Sequence, residues 1–371
     1  MEERGLGEGE IEFLRTSYRE YYYRSSGSLW VPPRLESREI GFLTFDGHFR
    51  RHLRVGSRGE LVSAVLREVP WGIFYSVSLY EDPGNPEMDR KGWMGADLAF
   101  DIDVKDLHPA CIDEHDFYLC EGGEVRPLGA GASPGCRRVD WVCPNCVEAG
   151  RREVLKLLDV LQRDLGIRPD AISVYFSGHR GFHVHVEDDS LLGLGREARA
   201  QIVDYLTLSS HSPGFLLELL GNSEDDLRTL VGWPMRVAEA LRRRYGAPPT
   251  RAFLEHVTRG EAAAALEAAI AEVRVRVDPQ VTMDVSRILR MPTSLNEKTG
   301  MAKVPCRDVV VCDPLEEAVA IGDEPVRVEI SYAPRLRIGG YDYGPYRHTT
   351  LRLPAFVSAF LISKGVAKLV K

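Results

Sequence analysis

The decapeptide Ser177-Gly178-His179-Arg180-Gly181-Phe182-His183-Val184-His185-Val186 constrains the fold more than any other stretch of this chain. An apolar strand candidate, Ala171 to Phe176, leads into it. Two glycines then turn the chain, and Phe182, Val184 and Val186 alternate with His183 and His185. This is the pattern of a β-hairpin with a polar, cationic tip. Glycines at 178 and 181 permit positive φ and close approach of backbone to a ligand. Arg180 offers a planar fork of donors suited to phosphate oxygens. Ser177, His179 and the loop N–H groups add donors, enough to hold a polyphosphate. The competing reading is a decorated turn whose histidines face solvent.

A chain of 371 residues can bury a large core and is expected to fold as more than one unit. With 44% hydrophobic and 27% charged residues it reads as an ordinary globular protein. No apolar run is long enough to cross a bilayer, so no membrane partner is expected. Met1-Glu2-Glu3-Arg4 leads into a charged, aromatic segment and not a secretory signal, so a cytoplasmic location is expected. The net charge of −8 argues against non-specific nucleic-acid binding but leaves room for a local basic groove. Arg50-Arg51-His52-Leu53-Arg54 and Arg242-Arg243-Arg244 are candidates for one, weighed against solvated faces.

The periodicity alternates between helix and strand. Helices are predicted over 11–24, 60–69, 151–165 and 354–364. Strands are predicted over 71–79, 96–104, 171–176, 182–186, 273–277 and 326–332. Residues 107–150 read as irregular, and 188–272 read as helical throughout, broken at Pro213, Gly221, Pro234, Pro248-Pro249 and Gly260. The expected fold class is α/β of the mixed α+β kind, with central β-sheets flanked by helices. Residues 1–107, 151–187 and 273–371 would form the core, 108–150 a zinc-binding insertion and 188–272 a helical insertion.

Asp101 and Asp103 lie within the strand candidate Ala99-Phe100-Asp101-Ile102-Asp103-Val104. Alternation puts both carboxylates on one face, with Cα atoms about 7 Å apart. At that separation both can reach a shared cation, since carboxylate oxygens bind Mg²⁺ at about 2.0–2.1 Å. Two like charges need a cation or a basic partner to offset their repulsion. A third acid would complete a two-metal site. Asp278 and Asp284 are the candidates, close to Arg287, Arg290 and Lys298. The bland alternative is a salt-bridged strand edge and a capped helix.

Five of the seven cysteines lie between 111 and 146. In a chain without a secretory signal, such clustering favours a metal over disulfides. Cys143-Pro144-Asn145-Cys146 is a zinc-knuckle turn with Cys136 upstream, and a structural zinc wants four such ligands. Cys120 is the preferred fourth ligand, with Cys111, His108 and His115 as alternatives. Cys306 and Cys312 read as core residues on a probable strand.

Taken in order, the Asp-x-Asp strand, the zinc knuckle, the Ser-Gly-x-Arg-Gly-x-His hairpin and the later Arg-x-Pro-x-Ser-Leu-x-x-Lys-Thr-Gly segment resemble the small, catalytic subunit of archaeal and eukaryotic DNA primase, in its archaeal form. The start of the chain, through Tyr21-Tyr22-Tyr23 and Glu36 to Phe42, also resembles that family. The resemblance implies Asp101, Asp103 and Asp278 as ligands of two Mg²⁺ or Mn²⁺ ions, and a structural Zn²⁺. It implies Ser177, His179, Arg180, His183 and Arg290 at the nucleotide triphosphate, and Glu39 and Arg51 in the N-terminal active-site stretch. Asn296 stands where the family usually has His. It can hydrogen-bond a ribose or phosphate but cannot titrate.

The implied activity is synthesis of short RNA primers on single-stranded DNA from NTPs, with dNTPs as further candidates. The implied partners are a primase large subunit and the replication machinery. The rival readings are a metal-dependent phosphoesterase or nuclease, a non-catalytic zinc-containing nucleic-acid binder, and a repair-type primase-polymerase.

Overall fold

The computed structural model describes residues 6–209, 215, 218–220, 223–250, 253, 254 and 259–370. The predicted helix breaks at Pro213 and Gly221, and the Met1–Arg4 start, lie outside these residues.

Two four-stranded antiparallel sheets form the centre. The first has the order Ile288–Arg290, Gly72–Ser76, Ile40–Leu43, Phe49–Leu53. Phe42, Ile73, Tyr75 and Leu289 are buried on one of its faces, as alternation in a half-buried sheet requires. The second has the order Val304–Pro305, Ile172–Phe176, Phe182–Val186, Leu98–Ile102. The hairpin is therefore real. Ile172 pairs with Val186 and Phe176 with Phe182, and its return strand pairs in turn with the acid-bearing strand. Tyr75 joins the two sheets, its hydroxyl 2.9 Å from His185 Nδ1.

The helix Pro144–Arg163 covers the second sheet with Val154, Leu157, Val160 and Leu161. It begins earlier than the predicted 151, because Cys143 takes the N-cap position and Pro144 suits the first turn. Its Gly150 lets it close on the hairpin: a Cβ there would lie 2.9 Å from the Phe182 ring. A third sheet, Tyr346–Pro354, Pro325–Ala333 and Ala367–Leu369, packs under the helix Ala355–Ser363.

Several boundaries differ from the sequence expectation. Residues 71–79 are not one strand but two, Gly72–Ser76 and Ser78–Tyr80, with the second paired to Trp93–Ala96. The strand expected over 273–277 is absent: the preceding helix runs to Val273, Arg274 is a bend, and 275–278 joins no ladder. Cys306 and Cys312 are buried as expected, but neither lies in a strand. Residues 107–150 are more regular than expected. A short α-helix, Cys111–His115, two 3-10 turns, Glu121–Gly123 and Leu128–Ala130, and a three-stranded sheet, Val125–Pro127, Phe117–Cys120, Cys136–Val139, occupy that stretch before the helix at Pro144.

Helices Arg196–Thr207, Glu224–Thr229, Gly232–Tyr245 and Arg259–Val273 follow the hairpin. Val237, Leu241, Leu254 and Leu266 belong to a small apolar cluster of their own there. No described helix is long and apolar enough to cross a membrane.

Candidate active site and metal centre

The acids converge by local capping. Asp101 sits in the strand Leu98–Ile102, opposite His183 in the antiparallel register. Asp103 has already left the strand. It caps the short helix Val104–Leu107, accepting from Lys105 N at 2.9 Å. Asp278 caps the helix Pro279–Met283 in the same way, accepting from Gln280 N at 2.9 Å. An N-cap is worth about 1 kcal/mol, so both carboxylates are held in place by the helices they start. Asp278 N also donates to Asp101 O at 2.9 Å, which draws the third acid beside the first. Burial, then Asp103 and Asp278, push the Asp101 carboxyl up to about 7. Asp284 is directed elsewhere, its carboxylate capping Ser286.

Carboxylates in such mutual repulsion are the donor set that a hard divalent cation satisfies, so these residues fit Mg²⁺ or Mn²⁺.

His183 Nε2 lies 3.5 Å from Asp101 Oδ1, and its Nδ1 lies 3.0 Å from Lys303 Nζ. Lys303 is fully buried and also reaches His185 Nε2 at 3.0 Å and Arg290 O at 2.8 Å. Burial, then Lys303, hold both imidazoles well below the usual histidine range, so they are neutral near pH 7. Sequence reasoning missed Lys303. Its signal was a lone cation inside the apolar run Gly300-Met301-Ala302-Lys303-Val304.

The hairpin tip is packed more tightly than a bare phosphate loop would be. Gly178 has φ +80, and a Cβ there would lie 2.9 Å from Met301 O. A Cβ on Gly181 would lie 2.4 Å from Ile102 O. The glycines thus admit the chain's own backbone, where the sequence suggested the approach of a ligand. Ser177 Oγ accepts from His179 N and Gly181 N. Asn296 clamps the tip, donating from Nδ2 to Ser177 O at 3.2 Å, while its Oδ1 accepts from Lys298 N.

His179 is committed to Asp140 at 3.2 Å and to Lys364 at 2.8 Å. Burial, then Lys364, lower its pKa to about 4. It therefore brings no positive charge of its own. Arg180 is buried, with Nη1 on Asp116 Oδ2 at 3.1 Å and Trp141 O at 3.3 Å. Its Nε lies 3.7 Å from Asp103 Oδ1 and has no hydrogen-bond partner among the described residues. A buried orphan donor beside the acid cluster fits a phosphate oxygen.

Arg180 lines a cleft of about 1130 Å³ together with Lys105, Arg138, Lys298, Lys364 and Lys368. Lys105 Nζ lies 3.5 Å from Asp103 Oδ2, so this basic cleft adjoins the acids. Of the other predicted residues, Arg290 pairs with Glu297 and donates to Leu295 O. Glu39 is fully buried between Arg51, at 2.7 Å, and Lys91, at 2.7 Å. Lys91 lies in a polar loop with no sequence signal to mark it.

The zinc expectation needs correction in two ligands. Cys120 and Cys136 face each other across adjacent strands and form a disulfide. Cys143 and Cys146 gather instead with Cys111 and His115. The Sγ atoms of Cys111 and Cys143 lie 3.6 and 3.8 Å from that of Cys146, and His115 Nε2 lies 3.1 Å from it. Hydrogen bonds from Cys146 and His115, working against burial, draw the Cys143 thiol down to about 4. Three thiols and an imidazole, from the helix Cys111–His115 and from the N-cap and first turn of the helix Pro144–Arg163, could hold zinc in a closed structural site. The spacing Cys111-x-x-x-His115 is one helical turn and was the available signal. His108 is not in the group.

Residues 100–308, which carry the acids, the cysteine–histidine cluster and the hairpin, match the family model described as DNA primase small subunit. The chain belongs to the DNA primase small-subunit family. A DNA primase small subunit of Cenarchaeum symbiosum is 33% identical over 374 residues, covering 98% of this chain and 99% of that one. One from Archaeoglobus fulgidus is 32% identical, covering 96% and 97%. Among solved structures, the polymerase domain of Mycobacterium tuberculosis ligase D in complex with DNA aligns at a TM-score of 0.37 with 12% identity, over 80% of this chain and 81% of that one, too distant to add to the argument. For this primase-family chain, the archaeal relatives support the archaeal form of the resemblance.

Proposed function

We propose that the chain is the catalytic subunit of a DNA primase that builds short RNA primers on single-stranded DNA from NTPs. The observation that carries this reading is the acid cluster around Asp101, faced by His183 and bordered by the basic cleft that begins at Arg180.

Asp101, Asp103 and Asp278 would hold two divalent cations. When bound, these supply charge to lower the pKa of an attacking 3′-hydroxyl and to stabilise departing pyrophosphate. The chain's own groups position the reactants. Arg180 presents its free Nε to the triphosphate, and Lys105 and Lys298 add charge along the cleft. Fixed donors at the developing charge lower the barrier without reorganisation. His183 stays neutral, so its Nε2 can donate to Asp101 or to a phosphate oxygen while Lys303 fixes Nδ1 as acceptor. Asn296 acts by holding the Ser177 carbonyl, and no proton transfer is assigned to it.

The Cys111, His115, Cys143, Cys146 cluster would bind zinc in a structural role. A primase large subunit would complete the enzyme within the replication machinery.

The test supplies single-stranded DNA, ribonucleotides and Mn²⁺ and looks for oligomers. Asp101→Ala with Asp103→Ala is expected to abolish synthesis with fold and zinc content intact. Full activity in that variant would overturn the reading. Loss of preformed oligonucleotide, without need for NTPs, would favour a phosphoesterase instead.

A further inference from the structure

The open face of the first sheet carries an aromatic pair that the acids and the hairpin do not use. Phe49 and Phe74 meet edge to face with centroids 5.2 Å apart. Phe49 is 42% exposed although it lies in a regular strand. Both rings rest where glycine leaves room. A Cβ on Gly41 would come within 3.3 Å of the Phe49 ring. One on Gly72 would come within 2.9 Å of the Phe74 ring and 3.1 Å of Arg290 Nη1. The Arg290 guanidinium covers Phe74, 4.9 Å from its centroid. Phe74 is thus gripped between Gly72 and Arg290, and Phe49 stands against it with a free face.

A large apolar ring held open to water in a fixed orientation is a stacking surface. Such surfaces accept any nucleobase, because every base has a π-face. The surroundings favour a polyanion over an apolar peptide. Arg54, just beyond the end of the Phe49 strand, has a side chain 64% exposed, and Arg50, opposite Phe42 in the register and so on the other face of this edge strand, has one 50% exposed. Their acidic neighbours, Glu68 and Asp82, are at or near the surface, and exposed pairs are weak enough to exchange for phosphate.

The pair is also continuous with the candidate site. Phe74 is the register partner of Arg290, whose carbonyl accepts from Lys303, the residue that holds His183 beside Asp101.

We infer that Phe49, backed by Phe74, stacks a base of the single-stranded DNA that crosses this sheet, with Arg54 toward a flanking phosphate. The inference rests on the template-directed reading above, so its test is a binding measurement made without nucleotide or divalent cation. A labelled oligothymidylate and the same oligomer carrying abasic sites are titrated by fluorescence anisotropy. Wild type is expected to prefer the intact oligomer. Phe49→Ala and Phe49→Leu are expected to weaken its binding by roughly 5- to 150-fold and to lose that preference. Phe49→Trp is expected to retain both. Phe49→Leu keeps apolar packing, so a loss confined to that variant and Phe49→Ala reports the ring itself. Wild-type binding by a folded Phe49→Leu variant, or equal wild-type affinity for intact and abasic strands, overturns the inference. Failure of primer synthesis with the base preference intact would count against the catalytic reading alone.

Discussion

Arg180 Nη1 donates to Asp116 Oδ2 at 3.1 Å, and this buried pair joins the hairpin to the cysteine–histidine cluster. Asp116 Oδ1 lies 3.0 Å from His115 Nδ1 and accepts from Trp141 N at 2.8 Å. The carboxylate therefore orients a zinc-ligand candidate on one side and a phosphate-ligand candidate on the other. Asp116→Asn keeps the shape but strips Arg180 of its anion. Leaving one member of a buried pair uncompensated costs about 3–5 kcal/mol. Losing the carboxylate behind a ligating histidine lowers metal affinity about 10- to 100-fold. Denaturant unfolding and zinc titration should both register the change, while Asp113→Asn, at an exposed position, should move neither.

His179 gives the fold an acid limit. Its folded pKa is depressed to about 4, and an unfolded histidine titrates near about 6.5. Between those values the unfolded chain holds a proton that the native chain does not. Stability contributed by the neutral ring is thus complete above about pH 6.5 and is lost as the pH falls toward about 4, at about 1.4 kcal/mol per pH unit. His185, depressed by burial and Lys303, adds to the slope in the same direction. Unfolding free energy measured across this range should fall with acid, and His179→Gln should flatten the curve.

The hairpin, the Asp-x-Asp strand and the core helices were legible because their apolar residues repeat at strand or helix spacing. The glycines at 178 and 181 were legible as necessary, but not for their actual reason, since the Met301 and Ile102 carbonyls that crowd them come from distant sequence. Long-range pairing likewise hid Lys91, Lys303 and Asp116, each defined by partners far along the chain. Cys120 and Cys136 were drawn into the expected zinc set because spacing alone ranks Cys136 near Cys143. The strand pairing that sets Cys136 against Cys120 cannot be read from spacing.

Cysteine substitutions should separate the two groups. Cys111→Ser or Cys146→Ser removes one of four soft donors and should abolish stoichiometric zinc, with a fall in thermal stability. Cys120→Ser should leave zinc content at the wild-type level, because its partner is Cys136. Metal analysis of the purified variants checks this directly. Zinc loss in Cys120→Ser with retention in Cys111→Ser would reverse the assignment.

Gly181 tests how closely the hairpin must sit on the acid strand. Gly181→Ala places a Cβ against the Ile102 carbonyl, a backbone atom with no rotamer to move, so the hairpin must shift away from Asp101. Overpacking of this kind costs about 1–3 kcal/mol. Primer synthesis should fall further than stability does, since His183 would leave its position 3.5 Å from Asp101. Gly193→Ala, with open space at its Cβ, should be close to neutral in both. Melting temperature and nucleotide incorporation measured on the two variants give the comparison.

Divalent cations should stabilise the protein more as the pH rises. The Asp101 carboxyl is raised to about 7, by burial first and then by Asp103 and Asp278, against an ordinary value of about 3.9 when unfolded. Between these values the native chain holds a proton that the unfolded chain has released. In the metal-free protein, the stability tied to that proton is complete below about pH 4 and lost as the pH rises through about 7. A cation bound between the three acids replaces the proton, so the two compete below about pH 7 and cease to compete above it. The rise in melting temperature on adding Mn²⁺ or Mg²⁺ should therefore be larger near pH 8 than near pH 6. Asp103→Asn removes one repelling charge and one ligand together, and should reduce both the pH dependence and the size of the metal effect. An equal shift at both pH values would separate cation binding from Asp101.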